Sequence, residues 1–112
     1  MADAWPHALS SARKYGGKPE DYIAIHYWFD SSKAIMCDFR HRALRHHAEG
    51  IDAAIHKFGH VITNADGRQL PVRWIGEQHV KEDFGHVPSW VDWARAIKHE
   101  PWMNKPMKLG FE

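Results

Sequence analysis

The chain has 112 residues, 44% hydrophobic and 26% charged, which suits one globular domain and is too short for two separate cores. Fifteen Lys and Arg residues against fourteen Asp and Glu residues leave a formal net charge of +1, so no global field would attract the protein to nucleic acid or to an anionic membrane. The single cysteine, Cys37, excludes an internal disulfide and a Cys-rich zinc cluster, and no apolar run approaches the roughly 20 residues of a membrane span. These features predict a soluble, cytoplasmic protein.

Histidine and tryptophan are unusually abundant, with ten His and six Trp residues. Neutral imidazole is a common metal ligand and the usual group for proton transfer near pH 7. Tryptophan is frequent at pockets and interfaces because it combines a large apolar surface with a polar N–H group. Both residue types therefore direct the search for a functional site.

Two helices are predicted in the N-terminal third. The first runs from Asp3 to about Lys14 and is ended by Gly16 and Gly17, which readily adopt the left-handed conformation that closes helices. The second is PEDYIAIHYWFD, where Pro19 and two acidic residues suit a first helical turn. This helix is apolar on nearly every side, so we expect it to be enclosed and His26 to lie among apolar neighbours.

A third and longest helix is predicted from about Lys33 to Phe58, with Asp30 and the two following serines as capping candidates. At about 100° per residue, nine side chains fall on one buried stripe: Met36, Arg40, Ala43, Leu44, His47, Ile51, Ala54, Ile55 and Phe58. The basic octapeptide RHRALRHH, residues 40–47, is therefore expected to divide between the core and the solvent. Gly50 is expected to interrupt or bend the helix.

A β-hairpin and two shorter helices are predicted next. The turn-prone NADG separates strands near Val61 to Thr63 and Leu70 to Ile75. GEQHVKEDFG predicts a short helix closed by Gly85, and SWVDWARAI predicts a helix whose cap, Ser89, pairs with Asp92. The predicted fold is mainly α with a small β-hairpin (α+β): a compact single-domain helical bundle over residues 1–100 with an inserted hairpin, and a tail, 101–112, that docks on the body.

Four segments carry a resemblance to a known family. Four segments in order, GGKPEDYIAIHYWFDSSK, DFRHRALRHHAEGI, ITNADGRQLPVR and IGEQHVKEDFGHVPSWVDW, resemble a family of small bacterial and phage proteins known as a domain of unknown function. The resemblance covers about residues 7 to 98. The resemblance implies no activity. It marks the following positions as characteristic: His7, His26, Asp30, Arg40, His41, Arg42, His46, His47, Glu77, Gln78, His79 and Asp83.

A buried metal site is one interpretation of the histidines. His26 and His47 lie on separate elements and are predicted to point inward, and His79, with Glu77 and Asp83 beside it in EQHVKED, could close the site. A mixed set of His and carboxylate ligands suits zinc, iron, manganese or nickel, and hydrolysis is one use of such a site. HExxH and CxxC are absent, so two alternatives stay open: each His satisfies the core by hydrogen bonding, or one acts as a metal-free catalytic group.

His47 is preferred over its neighbour His46, because adjacent side chains on a helix diverge by about 100° and only one can face a buried ion. Arg40 shares the predicted stripe with His47, and a buried arginine needs an acidic partner such as Asp30, Glu77 or Asp83. The alternative is that Arg40, with Asp30 beside it, holds a small anionic ligand through the forked guanidinium group.

Three classes of function therefore remain: a His-lined pocket for a divalent metal or a small anionic ligand, a non-enzymatic binding or sequestering protein, and a nucleic-acid binder. The second would act through a Trp-rich surface and fits the phage or mobile-element setting that the resemblance implies. The third would use the basic helix 40–47. It is disfavoured by Asp38, Glu49 and Asp52, which are interspersed on the same predicted long helix, and by the near-zero net charge. Six Trp residues and an edge strand also predict homo-oligomerisation.

Overall fold

The computed structural model describes residues 4–104, which form five α-helices, one two-stranded hairpin and four short 3₁₀ turns. In chain order the helices and strands are α1 (Ala4–Tyr15), α2 (Ile23–Asp30), α3 (Ala48–Phe58), β1 (Val61–Thr63), β2 (Gln69–Pro71), α4 (Val72–Phe84) and α5 (Trp90–Ala94). The 3₁₀ turns are Pro19–Asp21, Ser31–Ala34, Phe39–Leu44 and Pro101–Asn104. The predicted class, mainly α with a small hairpin, is confirmed.

The first two helices lie close to their predicted positions. Helix α1 ends before Gly16, whose φ of 83° lies in the left-handed region that glycine tolerates best. The segment Pro19–Asp21 is a separate 3₁₀ turn, and α2 begins only at Ile23. His26 is fully buried on α2, as its apolar neighbours predict.

The long third helix is wrong, because the backbone leaves the helical conformation at two points. Asp38 is extended and its side chain accepts a hydrogen bond from the backbone N–H of Arg40. His47 is also extended (φ −164°, ψ 173°), and its Nδ1 accepts from the N–H of Gly50 at 2.9 Å, so the imidazole caps α3. Each cap begins a new helical segment, so residues on either side of it do not follow one continuous helix. The side chains of the predicted stripe therefore do not share one face.

Gly50 lies in the first turn of α3 rather than at a break. A Cβ atom there would lie 1.8 Å from the carbonyl oxygen of Arg45, so no larger residue fits beneath the preceding turn. The close approach holds residues 45–47 against α3.

The hairpin is confirmed, but its second strand is shorter than predicted. Strands β1 and β2 pair antiparallel with Ile62 opposite Leu70. Pro71 ends β2 at the position that precedes α4, and the residues from Val72 to Ile75 are helical. Helix α4 therefore begins at Val72 rather than at Gly76, where the predicted helix GEQHVKEDFG starts, and it carries His79 and Asp83 at its centre and end.

The core lies between α2, α3 and α4, with Phe29, Ile51, Ile75 and Val80 as its large buried side chains. Six histidines are buried beside this apolar cluster: His7, His26, His41, His46, His47 and His79. Imidazole is polar, so each of these rings needs a partner in the interior. Those partners define the candidate site.

The described part of the tail, Pro101–Asn104, is a 3₁₀ turn in which Trp102 and Met103 are exposed. Residues 105–112 of the predicted tail, Phe111 among them, lie outside the described residues, so docking of the tail stays a prediction. Within residues 4–104, no helix has the length and apolar character needed to cross a membrane.

Candidate metal centre

Four side chains from three segments direct donor atoms to one point in the interior. Asp30 is the last residue of α2, and His46 lies in the turn that precedes α3. His79 and Asp83 are one helical turn apart on α4, so they share a face. Both histidines are fully buried, and the two carboxylate side chains are 11% and 8% exposed. The four donor atoms all lie within 4.8 Å of one another.

The separations between these atoms match a metal coordination shell. His46 Nε2 lies 3.1 Å from His79 Nε2, 3.4 Å from Asp30 Oδ1 and 3.1 Å from Asp83 Oδ2. His79 Nε2 lies 3.3 Å from Asp30 Oδ1 and 3.4 Å from Asp83 Oδ2. The sixth pair, the two carboxylate oxygens, lies within 4.8 Å. A regular tetrahedron with edges of about 3.3 Å has its centre about 2.0 Å from each corner, which is the usual zinc to nitrogen or oxygen distance.

The protonation of Asp30, Asp83 and His79 also suits a cation. Burial by itself would raise the pKa of Asp30, but the contacts with His46 and His79 lower it below its ordinary value. Burial would likewise raise the pKa of Asp83, and its contacts with His46 and His7 lower it. Burial lowers the pKa of His79, which favours the neutral ring. Ionised carboxylates and neutral imidazole are the forms that bind metal, and two carboxylates balance the charge of a divalent ion.

One donor atom has no other partner. Asp83 Oδ2 is buried and makes no hydrogen bond to any residue between 4 and 104, although His46 Nε2 is 3.1 Å away. Buried polar atoms in proteins are nearly always hydrogen-bonded or bound to an ion. A cation at the centre of the cluster would account for this oxygen.

A hydrogen-bond chain behind His79 fixes which of its nitrogens faces the cluster. The amide of Gln78 is oriented by its N–H donation to the carbonyl of His7 at 3.0 Å, so its Oε1 is free to accept from the hydroxyl of Ser11 at 2.6 Å. The Ser11 hydroxyl, having donated its proton, accepts from His26 Nε2 at 2.7 Å. His26 therefore carries its proton on Nε2.

The position of the proton on His79, the ring that faces the cluster, follows from that on His26. Burial, together with His79 and His7, lowers the pKa of His26 to about 2, so His26 is neutral and its Nδ1 is a bare acceptor. His79 Nδ1 lies 3.0 Å from that atom and must donate to it. The Nε2 of His79 is then unprotonated and available to a metal ion, an arrangement in which a second hydrogen-bonded group sets the tautomer of the ligand.

His7 and Arg42 contact the other face of the cluster. His7 contacts Glu82 through Nδ1 at 2.8 Å and Asp83 Oδ1 through Nε2 at 3.4 Å, and Arg42 lies 3.8 Å from the same oxygen. Burial by itself would lower the pKa of His7, but the bonds to Asp83 and Glu82 raise it. His7, His26 and His79 also lie within ligand distance of one another. Because both nitrogens of His7 already face carboxylates, we assign this second group to the support of the first.

Of the five predicted metal ligands, two lie in the cluster, namely His79 and Asp83. His26 lies directly behind His79. His47 does not reach it: the ring caps α3 and donates from Nε2 to the carbonyl of Ala43 at 2.9 Å. The preference for His47 over His46 is therefore reversed in the structure, where His46 supplies the Nε2 atom. Glu77 is half-buried and lines a surface cleft elsewhere on α4.

The predicted anion site at Arg40 is not formed. Arg40 is exposed rather than on a buried stripe, and its guanidinium pairs with Asp38 at 2.7 Å. None of its expected partners, Asp30, Glu77 and Asp83, contacts it within the described residues. Asp30 instead joins the donor cluster. Sequence reasoning missed His46, the ligand position of Asp30 and the support from His7. The signal that the sequence did offer was the spacing of four residues between His79 and Asp83, which places both side chains on one face of α4.

The fold and the cluster define a small helical protein with a buried His and Asp centre of metal-ligand dimensions. The chain belongs to a family described as a domain of unknown function (DUF6915), whose model matches residues 2–103. The resemblance to an uncharacterised family is thereby confirmed; a bacterial or phage origin stays an expectation. Neither the comparison with curated proteins nor that with solved structures gives a match.

Proposed function

We propose that the protein binds one divalent metal ion through Asp30 Oδ1, His46 Nε2, His79 Nε2 and Asp83 Oδ2. The observation that supports this most directly is the set of five donor separations between 3.1 and 3.4 Å. If these side chains only hydrogen-bonded to one another, each contact would join one donor to one acceptor. Here four atoms that can each bind a metal ion face a common centre instead.

Zinc is the first choice among the four metals that the sequence suggests. A set of two nitrogens and two oxygens suits zinc, which has no geometric preference of its own, while manganese favours oxygen-rich six-coordinate sites. Iron in a site of two histidines and a carboxylate keeps open positions for oxygen, and this cluster already supplies a second carboxylate. Four protein donors are typical of a zinc ion that holds a fold together.

The test is the metal content of protein purified without a histidine tag. We expect native mass spectrometry and elemental analysis to give one zinc ion per chain. Asp83→Asn should lose the ion, and Glu77→Gln, a matched change of an acidic residue on the same helix, should keep it. Protein that folds but takes up no zinc, manganese, iron or nickel after reconstitution would refute the proposal.

The nucleic-acid hypothesis has less support from the geometry. Arg40 pairs with Asp38, Arg42 packs its guanidinium 5.3 Å from the centre of the Phe84 ring, and Arg45 lies 4.3 Å above the ring of Trp28. The arginines of the octapeptide therefore have partners within the chain. The Trp-rich binding surface and homo-oligomerisation stay predictions; Trp5, Trp74, Trp90 and Trp102 are exposed enough to serve them.

A further inference from the structure

A surface cleft of about 270 Å³ lies between the end of α1 and the outer side of α4. Its volume is slightly below the range of about 300 to 1,000 Å³ that is usual for small-molecule sites, so a ligand there has to be compact. The lining combines an aromatic pair, a buried amide and three charged side chains: Lys14, Tyr15, Trp74, Glu77, Gln78 and Lys81. None of these residues supplies a donor atom to the proposed metal centre.

The aromatic pair gives the cleft a flat apolar wall. The rings of Tyr15 and Trp74 are stacked, with their centroids 6.0 Å apart and an angle of 27° between their planes. Trp74 nevertheless stays 43% exposed. The stack with Tyr15 restricts the orientation of the indole before a ligand arrives, and an exposed indole ring can stack on the flat ring of a nucleobase.

The charged side chains of the cleft have no ionic partners in the described part of the chain. Lys14, Glu77 and Lys81 form no ion pair with any residue from 4 to 104. Two lysines and one glutamate leave a net charge of +1. Arg68, whose guanidinium lies 5.9 Å from the centre of the Tyr15 ring, adds a further positive charge nearby. The cleft therefore attracts an anion and keeps one carboxylate that can accept hydrogen bonds.

The buried side of the cleft offers no free hydrogen-bonding group. Gln78 is 3% exposed, and its Oε1 accepts from the hydroxyl of Ser11. Its Nε2 donates to the carbonyl of His7 and to Glu82. Recognition of a ligand therefore depends on the indole and on the charged groups at the rim.

Three of the lining side chains follow one another along one face of α4. Trp74, Glu77 and Lys81 are separated by three and four residues, which makes them neighbours in a row. At a rise of 1.5 Å per residue the row is about 10 Å long. Its order is aromatic ring, carboxylate and ammonium group. A ribonucleoside monophosphate has parts that these groups bind in the same order: a flat base, a ribose with two adjacent hydroxyl groups, and a phosphate.

We infer that this cleft binds a free purine ribonucleoside monophosphate, with the base on Trp74, the ribose hydroxyl groups on Glu77 and the phosphate beside Lys81. Lys14, at the end of α1, supplies the second positive charge for the phosphate. A purine is favoured over a pyrimidine because its two fused rings offer more area for stacking. The inference does not depend on the proposed metal function, since the row lies outside the donor cluster.

The test is isothermal titration calorimetry of the full chain with AMP and with GMP, which should show one saturable site. Three analogues of the tighter-binding nucleotide each lack one part: the nucleoside lacks the phosphate, ribose 5-phosphate lacks the base, and the deoxynucleotide lacks the 2′-hydroxyl group. The first two should bind roughly tenfold more weakly or worse, and the third about fivefold more weakly.

Variants with matched controls test the role of each residue. Trp74→Leu should weaken nucleotide binding roughly tenfold, and Trp90→Leu, which changes an indole of similar exposure on α5, should leave it unchanged. Lys81→Met should also weaken binding roughly tenfold, and Lys57→Met, which removes an exposed lysine from α3, should not. Glu77→Ala removes the acceptor for the ribose, so the nucleotide and its deoxy form should then bind with nearly equal affinity.

Circular dichroism checks that each variant is folded, and the lysine pair carries the test if Trp74→Leu does not fold. The inference is overturned if neither AMP nor GMP binds the folded protein in a saturable manner, or if the nucleoside binds as tightly as the nucleotide. Equal losses in the two tryptophan variants and in the two lysine variants also overturn it. A short oligonucleotide of the same base that binds more tightly than the mononucleotide overturns the assignment to a free nucleotide.

Zinc content measured on the same samples keeps the two proposals apart. Nucleotide binding by protein that takes up no metal supports the cleft inference and refutes the proposed function. Protein that holds zinc but binds neither nucleotide supports the proposed function and overturns the cleft inference.

Discussion

The adjacent pair His46 and His47 gives the sharpest test of the proposed centre. Both rings are buried, so a general effect of losing a buried histidine would be similar for the two. Only His46 supplies a donor to the cluster, whereas His47 caps α3 and hydrogen-bonds the carbonyl of Ala43. His46→Ala should therefore weaken metal binding, and His47→Ala should mainly lower the stability of the fold.

The expected magnitudes follow from the contacts. Structural zinc sites contribute about 10 to 16 kcal/mol of apparent binding energy, which is about 2.5 to 4 kcal/mol for each of four donors. His46→Ala should thus weaken zinc binding by about 10² to 10³-fold. His47→Ala loses a helix cap and one hydrogen bond, each typically about 1 kcal/mol, so the free energy of unfolding should fall by about 2 kcal/mol with little change in zinc affinity.

The assay is competition for zinc against a chromophoric chelator, combined with urea denaturation of the metal-free variants. Circular dichroism checks that each variant is folded, and His46→Gln, which keeps most of the side-chain volume, replaces His46→Ala if the latter does not fold. Equal zinc affinity for the two alanine variants, or a greater loss for His47→Ala, would contradict the assignment of His46 to the cluster.

Three further predictions concern the support of the site and the fold. Chelation should lower the thermal midpoint of the zinc-bound protein by roughly 10 to 20 °C, since zinc at a hundredfold excess over its dissociation constant stabilises by about 2.7 kcal/mol, and calorimetry with and without chelator measures this difference. In metal-free protein the folded pKa of His26, about 2, lies below its ordinary value of 6.5, so the unfolded chain takes up the proton first as the pH falls through 6.5. Stability should then drop by about 2 kcal/mol between pH 7.5 and pH 5, and His26→Gln should remove that part of the dependence in urea titrations; an unchanged slope would contradict the neutral state of His26. Gly50→Ala should destabilise the fold by about 3 kcal/mol in the same assay, because the new Cβ meets the carbonyl of Arg45, and a cost near that of an ordinary surface change would contradict this packing.

Local signals in the sequence predicted much of the fold. The NADG turn located the hairpin, and Ser89 with Asp92 forms the predicted capping box at the start of α5. Gly16 and Gly85 end α1 and α4 in left-handed conformations. Each of these features depends on residues that lie within a few positions of one another, so the chain's local chemistry is sufficient to determine it.

The site was predicted less well, because the choice between His46 and His47 depended on an unbroken helix. Histidine is not among the residues that usually cap helices, so a break at His47 has no clear sequence signal. Once the backbone is extended there, the angle between neighbouring side chains is no longer that of a helix, and His46 turns inward. The break at Asp38 displaces Arg40 to the surface for the same reason.

The centre also bears on how the chain is restrained. His46 and His79 are 33 residues apart, and Asp30 and His79 are 49 apart, so a single ion bound by these residues would close two nested loops. In the chain-entropy description of cross-links, closing loops of this length removes about 3 to 5 kcal/mol of freedom from the unfolded state. A protein with one cysteine cannot form an internal disulfide, and metal coordination would give it a cross-link that reducing conditions do not break.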